Sequence, residues 1–192
     1  MPVRTYTRWY LEMTAPEQLA PAPPPDPELE VRQAELPSPE LSRFLYTAVG
    51  GDWFWVDRLG WDYARWEAYL SRPGVETWVG WVRGTPAGYA ELAPRGDGIE
   101  IAYFGLLRPF IGRGIGPRLL HAAVARAWSR RPAHVRLSTC ELDGPAALRT
   151  YQRAGFSVYD RRQERSMLPD AAPGPWPGSG RPEPETRGPC AG

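Results

Sequence analysis

Three glycines at every second position, Gly112, Gly114 and Gly116, stand in the stretch FGLLRPFIGRGIG (residues 104–116), with Arg113 between the first two. An apolar run leads into them and a helical pattern follows at once. Glycine lets a ligand come close to the backbone with no Cβ in the way. The unpaired N–H groups and the macrodipole of a helix start favour negative charge. The spacing therefore reads either as a cradle for an anion such as pyrophosphate, with Arg113 adding a charged donor, or as a tight strand-to-helix turn. It is not the Walker pattern, since no Gly-Lys-Ser/Thr follows. Nor is G-x-G-x-G the G-x-G-x-x-G spacing of dinucleotide-binding folds.

Upstream, Glu100 is the lone carboxylate in the apolar run GIEIAYFGLL (residues 98–107). Desolvation in such a strand raises a carboxyl pKa toward a value useful to a general base. The alternatives are pairing with a nearby Arg, or a strand-end place facing solvent. His121 and His134 show no metal-ligand spacing, and no metal is expected. Cys140 has no neighbour in sequence that would lower its pKa, so it is expected to be a buried strand thiol and not a nucleophile. The stretch GGDWFWVDRLGWDYARW (residues 50–66) holds four Trp, one Phe and one Tyr. Its rings could take an apolar amine or a cation, and Asp52, Asp57 or Asp62 could receive an ammonium. Equally, the indoles could simply pack helices on a sheet.

The elements that must position these groups follow from periodicity and punctuation. RTYTRWYLEM and LEVRQAE read as strands, separated by a Pro-rich connector at residues 20–27 that can hold neither ladder nor helix. Ser38 is an expected N-cap with Pro39 at the first helical position, and residues 61–71 repeat a helical spacing. ETWVGWVRGTPAGYAELAP gives two strands turning around Gly84-Thr85-Pro86. GIEIAYFGLL is apolar on both faces and should be central. The helix after the glycines carries Leu120, Val124 and Trp128 on one stripe and stops before Pro132. HVRLSTC is a strand, and DGPAALRTYQRA a helix with Asp143 near its start and Gly155 past its end. FSVYDRRQE closes the sheet. This is an α/β chain with a mixed sheet and helices packed on it, in one domain over residues 1–166. Residues 167–192 hold seven Pro and five Gly, a composition expected to be a disordered tail.

With 22 acidic and 23 basic residues, no nucleic-acid partner is suggested. Every basic residue is Arg, so modification of the chain's own lysines is excluded. The start lacks the apolar core of a signal peptide and no stretch reaches membrane-spanning length. A structural disulfide between Cys140 and Cys190 is not expected, and the default is a soluble cytoplasmic protein. The sequence is compatible with a homodimer.

Three segments together resemble the GNAT superfamily of N-acetyltransferases. RPFIGRGIGPRLL is similar to its acyl-CoA pyrophosphate loop, Q/R-x-x-G-x-G/A, with Gly114 and Gly116 at the two small positions and Ile111 in place of the leading Gln/Arg. AALRTYQRAGF resembles the A-x-x-x-Y-x-x-x-G-F element. EIAYFGLL is similar to the strand that carries the catalytic glutamate in histone-acetylating members. The resemblance implies a GNAT fold and acetyl transfer from acetyl-CoA to a small-molecule amine or a peptide amino group in a direct ternary complex. It assigns Glu100 as base and Tyr151 as the acid that protonates the leaving thiolate. It places the pantetheine arm on the backbone of Leu106 and Leu107, and the pyrophosphate on Gly112, Arg113, Gly114, Ile115 and Gly116. The family often has an Asn seven residues before the tyrosine, where this chain has Gly144 beside Asp143. By the same resemblance the first two helices and their connection form a wall of the acceptor site. The alternative is a module that keeps the CoA fold without turnover; a nucleotide-binding module comes third.

Overall fold

The computed structural model describes residues 1–179; residues 180–192, with Cys190 and the end of the expected tail, lie outside the described residues. The elements run β1 (Val3–Met13), β2 (Leu29–Ala34), α1 (Pro39–Gly50), α2 (Tyr63–Leu70), β3 (Glu76–Val82), β4 (Thr85–Arg95), β5 (Gly98–Leu106), α3 (Ile115–Ser129), β6 (Val135–Cys140), α4 (Ala147–Ala154) and β7 (Ser157–Met167). This is the order that the periodicities predict. The strands form one seven-stranded sheet, β2-β3-β4-β5-β6-β1-β7. All neighbours are antiparallel except β5 and β6, which are parallel. The first strand of the chain lies between the sixth and the last, with Leu11 opposite both Leu137 and Val158.

Apolar residues line both faces. On one face α3 and α4 cover Leu11, Met13, Ala90, Leu92, Ile99, Ile101 and Leu137. On the other, Leu45 and Val49 of α1 pack on Val79 and Tyr89. Because β1 sends its odd-numbered Leu11 and Met13 into the α3 side, its even-numbered residues face the opposite way. There Arg8 and Tyr10 meet Glu164, while Glu12 accepts from Arg136. Among the described residues, no helix is long and apolar enough to cross a membrane.

Local chemistry sets the element ends. Ser38 caps α1 as expected, accepting from the Leu41 N–H at 3.2 Å. Helix α2 is shorter than its periodicity suggests, because the Asp62 carboxylate accepts from the Arg65 N–H at 2.8 Å and so fixes the start at Tyr63. Helix α4 likewise starts later than the sequence suggests. Asp143 turns its carboxylate back onto the Cys140 N–H and the Thr139 hydroxyl, latching the loop after β6. The domain extends past the expected boundary at residue 166. Met167 still belongs to β7, Leu168 is buried, and the Gly174 N–H donates to the Gly51 carbonyl at 3.0 Å. A Pro/Gly-rich composition cannot build a core, but one apolar side chain and a few backbone hydrogen bonds suffice to dock a short segment.

Helix α4 ends at Gly155, whose φ is +110°, and a Cβ there would lie 1.8 Å from the Gln18 carbonyl oxygen. That clash is with backbone, which the neighbouring Ala20 N–H to Ala154 carbonyl bond holds in place. Gly155→Ala is therefore expected to destabilise the fold by at least about 2 kcal/mol, read as a lower midpoint in urea with an unchanged slope.

Candidate active site

Strands β5 and β6 pair only at Ile99 with Val135 and at Glu100 with Arg136, although both strands continue. Past Glu100 they diverge. A bulge lies at the same place on the other edge of β5: Glu91 pairs with Tyr103 and Leu92 with Ile101, leaving Ala102 unopposed. Bulges bend the strand that carries them. Beyond it the Leu107 N–H donates to the Ala87 carbonyl at 2.8 Å. Alternate residues of an antiparallel ladder bond to the partner, so Tyr103 and Gly105 face β4. Phe104 and Leu106 turn their N–H and C=O groups into the gap. This is a free strand edge that an extended ligand can complete.

The backbone of Leu106 thus faces the gap, and that of Leu107 does not. Its N–H is engaged by Ala87, and its carbonyl accepts from the Phe110 N–H at 2.9 Å. Phe104, which the sequence reading did not name, shares that edge. Its signal was present, since alternation makes it the partner of Leu106 on that edge.

A turn at Arg108–Phe110 leads into the glycines. Gly112 and Gly114 have φ of +81° and +74°, which a side chain rarely adopts. Nothing lies within 4 Å of where a Cβ on Gly112 would stand. Gly114 is the N-cap of α3 and supplies no side chain. The N–H groups of Ile115 and Gly116 in the first turn have no intrahelical partner, and Pro117 has no N–H at all. The Ile115 side chain is buried with Val82, Ala87 and Phe110, so only its N–H can serve a ligand. Arg113 lies 5.4 Å from the Phe110 ring centroid, and Ile111 is half exposed.

Tyr151 of α4 packs on the side chain of Phe104. It meets Phe104 edge-on with ring centroids 6.0 Å apart, and Phe156 at 6.4 Å. Burial holds its hydroxyl above the ordinary phenol value, and Asp143 adds to the shift. The phenol is a hydrogen-bond donor at neutral pH. Cys140, at the end of β6, shows the same surroundings acting on a thiol: burial pushes it up to about 11. It is no nucleophile in this state.

A splayed parallel pair, a glycine-rich helix start and a tyrosine packed on the Phe104 ring occur here together, and the model of the acetyltransferase (GNAT) family matches residues 39–156. The chain belongs to the GNAT acetyltransferase family. GNAT structures share its fold at low identity. A GCN5-related N-acetyltransferase from Sphaerobacter thermophilus is 23% identical with a TM-score of 0.65, covering 86% of this chain and 53% of its own. A GNAT-family structure from Novosphingobium aromaticivorans is 18% identical with a TM-score of 0.57, covering 83% and 63%. An aminoglycoside acetyltransferase from an uncultured soil metagenomic sample is 14% identical with a TM-score of 0.56, covering 67% and 88%. The chain thus spans about half the length of the Sphaerobacter protein. No curated protein matches it.

In this GNAT chain Glu100 marks the apex of the splay. It is not the lone, desolvated carboxylate expected from the sequence: Arg95 donates to it at 2.8 Å, and its side chain is 28% exposed. One of the expected alternatives is present, an Arg partner. Ile99 and Ile101 point into the α3 core, so Glu100 faces the other side. The bulge at Ala102 resets the alternation, and Tyr103 shares the face of Glu100, packing toward α1.

The aromatic stretch is largely a packing device, and it already holds a cation. Arg58 is buried and makes two 2.9 Å hydrogen bonds to Glu91. Its guanidinium lies 4.6, 5.5, 4.2 and 4.4 Å from the ring centroids of Trp61, Trp66, Tyr69 and Tyr103. An acceptor cation cannot share that cage. Trp53 crosses toward the loop after β6, 3.4 Å from where a Cβ on Gly144 would stand, and Asp52 pairs with Arg108 at 2.9 Å. No group of three metal-ligating side chains exists among the described residues.

Proposed function

We propose that the protein transfers an acetyl group from acetyl-CoA to an amine in a direct ternary complex. The observation that carries this reading is the unpaired β5 edge at Phe104 and Leu106, ending in the Gly112–Gly116 helix start. The edge suits an extended amide chain, and the free N–H groups suit its anionic end. Acetyl-CoA would bring the thioester; the chain's own groups do the rest. Free N–H groups on β5 can donate hydrogen bonds to a carbonyl oxygen in the gap as negative charge develops on it. Glu100, on the acceptor face, takes a proton from the incoming amine directly or through water. Tyr151 donates its hydroxyl proton toward the departing sulfur. The buried phenol stays above a buried thiol, as it does in water, so it acts as a donor that stabilises the thiolate while the bond breaks. The acceptor is a small-molecule amine or a peptide amino group, in keeping with the aminoglycoside acetyltransferase among the fold neighbours.

A thermal shift tests the reading. Acetyl-CoA at a hundredfold excess over its dissociation constant is expected to add about 2.7 kcal/mol, or roughly 5–10 °C for a chain of this size, while ATP adds nothing. Equal shifts with both, or none with acetyl-CoA, would remove the cofactor assignment. Glu100→Gln should keep the shift and lower kcat about 100-fold with an accepted amine, assayed by release of free thiol. A shift without turnover of any amine in wild type would favour the non-catalytic module.

A further inference from the structure

Resting on the acetyltransferase reading above, we infer that the Asp57 carboxylate anchors a second positive charge on the acceptor, so that the acceptor class is a diamine or an amine bearing another cation. The three aspartates of the aromatic stretch have separate fates. Asp62 caps α2 and Asp52 is paired with Arg108. Asp57 has no cationic partner among the described residues, and it is exposed. Yet it is not a loose surface carboxylate. The Tyr46 hydroxyl donates to one oxygen at 2.8 Å, and the Tyr103 hydroxyl donates to the other. The Tyr46 oxygen is itself fixed by the Arg58 N–H at 3.2 Å. Burial raises both phenols, which therefore remain donors.

The adjacent guanidinium of Arg58 is turned away, into Glu91 and the ring cage. What remains is a rigid anion with hydroxyl partners only, open to solvent on the side of the sheet that Glu100 faces. Its partner Tyr103 stands three residues from Glu100 along β5, roughly 10 Å at strand spacing. Glu100 is paired with Arg95, whereas Asp57 is left, among the described residues, as an uncompensated carboxylate on this face, so it binds a second charge while Glu100 serves the nitrogen that reacts.

The test compares cadaverine with n-pentylamine, equal in chain length and differing by one ammonium. Each is titrated by calorimetry against the full-length protein saturated with CoA. Wild type is expected to bind cadaverine about tenfold more tightly than n-pentylamine. Asp57→Asn should erase that ratio, and Tyr103→Phe, which frees one carboxylate oxygen but keeps the charge, should reduce it only in part. No preference in wild type, or one that Asp57→Asn retains, overturns the inference. The acetyl-CoA thermal shift is measured on the same samples. Its presence with no cadaverine preference removes Asp57 alone, whereas its absence removes the acetyltransferase reading itself. If Asp57 only orients the two tyrosines, Asp57→Asn lowers the melting temperature and leaves the ratio unchanged.

Discussion

Glu91→Gln is expected to destabilise the fold by about 3–5 kcal/mol, a fall in melting temperature of roughly 6–20 °C for a chain of this size. Both members of the Arg58–Glu91 pair are almost out of water, with side chains 7% and 2% exposed. The amide keeps the shape of the carboxylate but removes its charge, leaving a guanidinium among rings with no counterion. Tyr69, which donates to Glu91 at 2.6 Å, also loses a charged acceptor. The rings around Arg58 offset part of the loss through their quadrupoles, which sets the lower end of the range. The double variant Arg58→Met with Glu91→Leu should recover most of the stability, because replacing a buried pair by apolar groups of similar size is often neutral or better. Urea melts of the two single variants and the double variant close a cycle. A double variant as unstable as the sum of the singles would mean that the pair matters for packing and not for charge compensation. The consequence for function is indirect. Arg58 adjoins Asp57 in the chain, and Tyr103 packs on the one and donates to the other, so the pair holds the proposed acceptor wall in place.

The order of the elements was legible because each carries its own period or cap. The two-sided apolar run of β5, Ser38 before Pro39, and the glycines ahead of α3 are local signals of local structure. The place of β1 was not legible. Its pairing with both β6 and β7 joins residues at opposite ends of the chain, and nothing in RTYTRWYLEM records which neighbours it will take. For the site, the glycine positions and Tyr151 lay in recognisable spacings. The free edge takes in Phe104 and leaves out Leu107 because it depends on ladder phase, and the Ala87 carbonyl that decides it lies on another strand. Glu100 looked solitary because Arg95 comes beside it only through the turn between β4 and β5. Arg58 was hidden for a similar reason. Arg58 is one of two Arg among the four Trp, and nothing in the stretch marks it as buried until Glu91, itself a break in the apolar alternation of β4, is brought beneath it.

Tyr151→Phe is expected to lower kcat by a factor of roughly 100 to 10,000, the range for removing one positioned proton donor, with the dissociation constant for acetyl-CoA nearly unchanged. The ring makes the packing contacts, edge-on to Phe104 and Phe156, and phenylalanine keeps them. The melting temperature of the variant should therefore stay close to that of wild type, whereas Tyr151→Ala opens a cavity and costs about 3–5 kcal/mol. The pair of variants separates chemistry from packing: kcat kept in Tyr151→Phe and lost only in Tyr151→Ala would make Tyr151 a core residue and nothing more. The pH profile adds a second criterion. Burial raises the phenol above its ordinary value of about 10, so Tyr151 remains protonated, and able to donate, throughout the neutral range and well into the alkaline. Wild type should then show no alkaline fall in kcat assignable to this residue below about pH 10, and Tyr151→Phe should lower the plateau without moving either limb. A limb near neutrality that vanishes in Tyr151→Phe would mean that the bound state lowers the phenol instead of raising it. The hydroxyl would then lie against a positive group delivered with the acceptor and not against the departing sulfur.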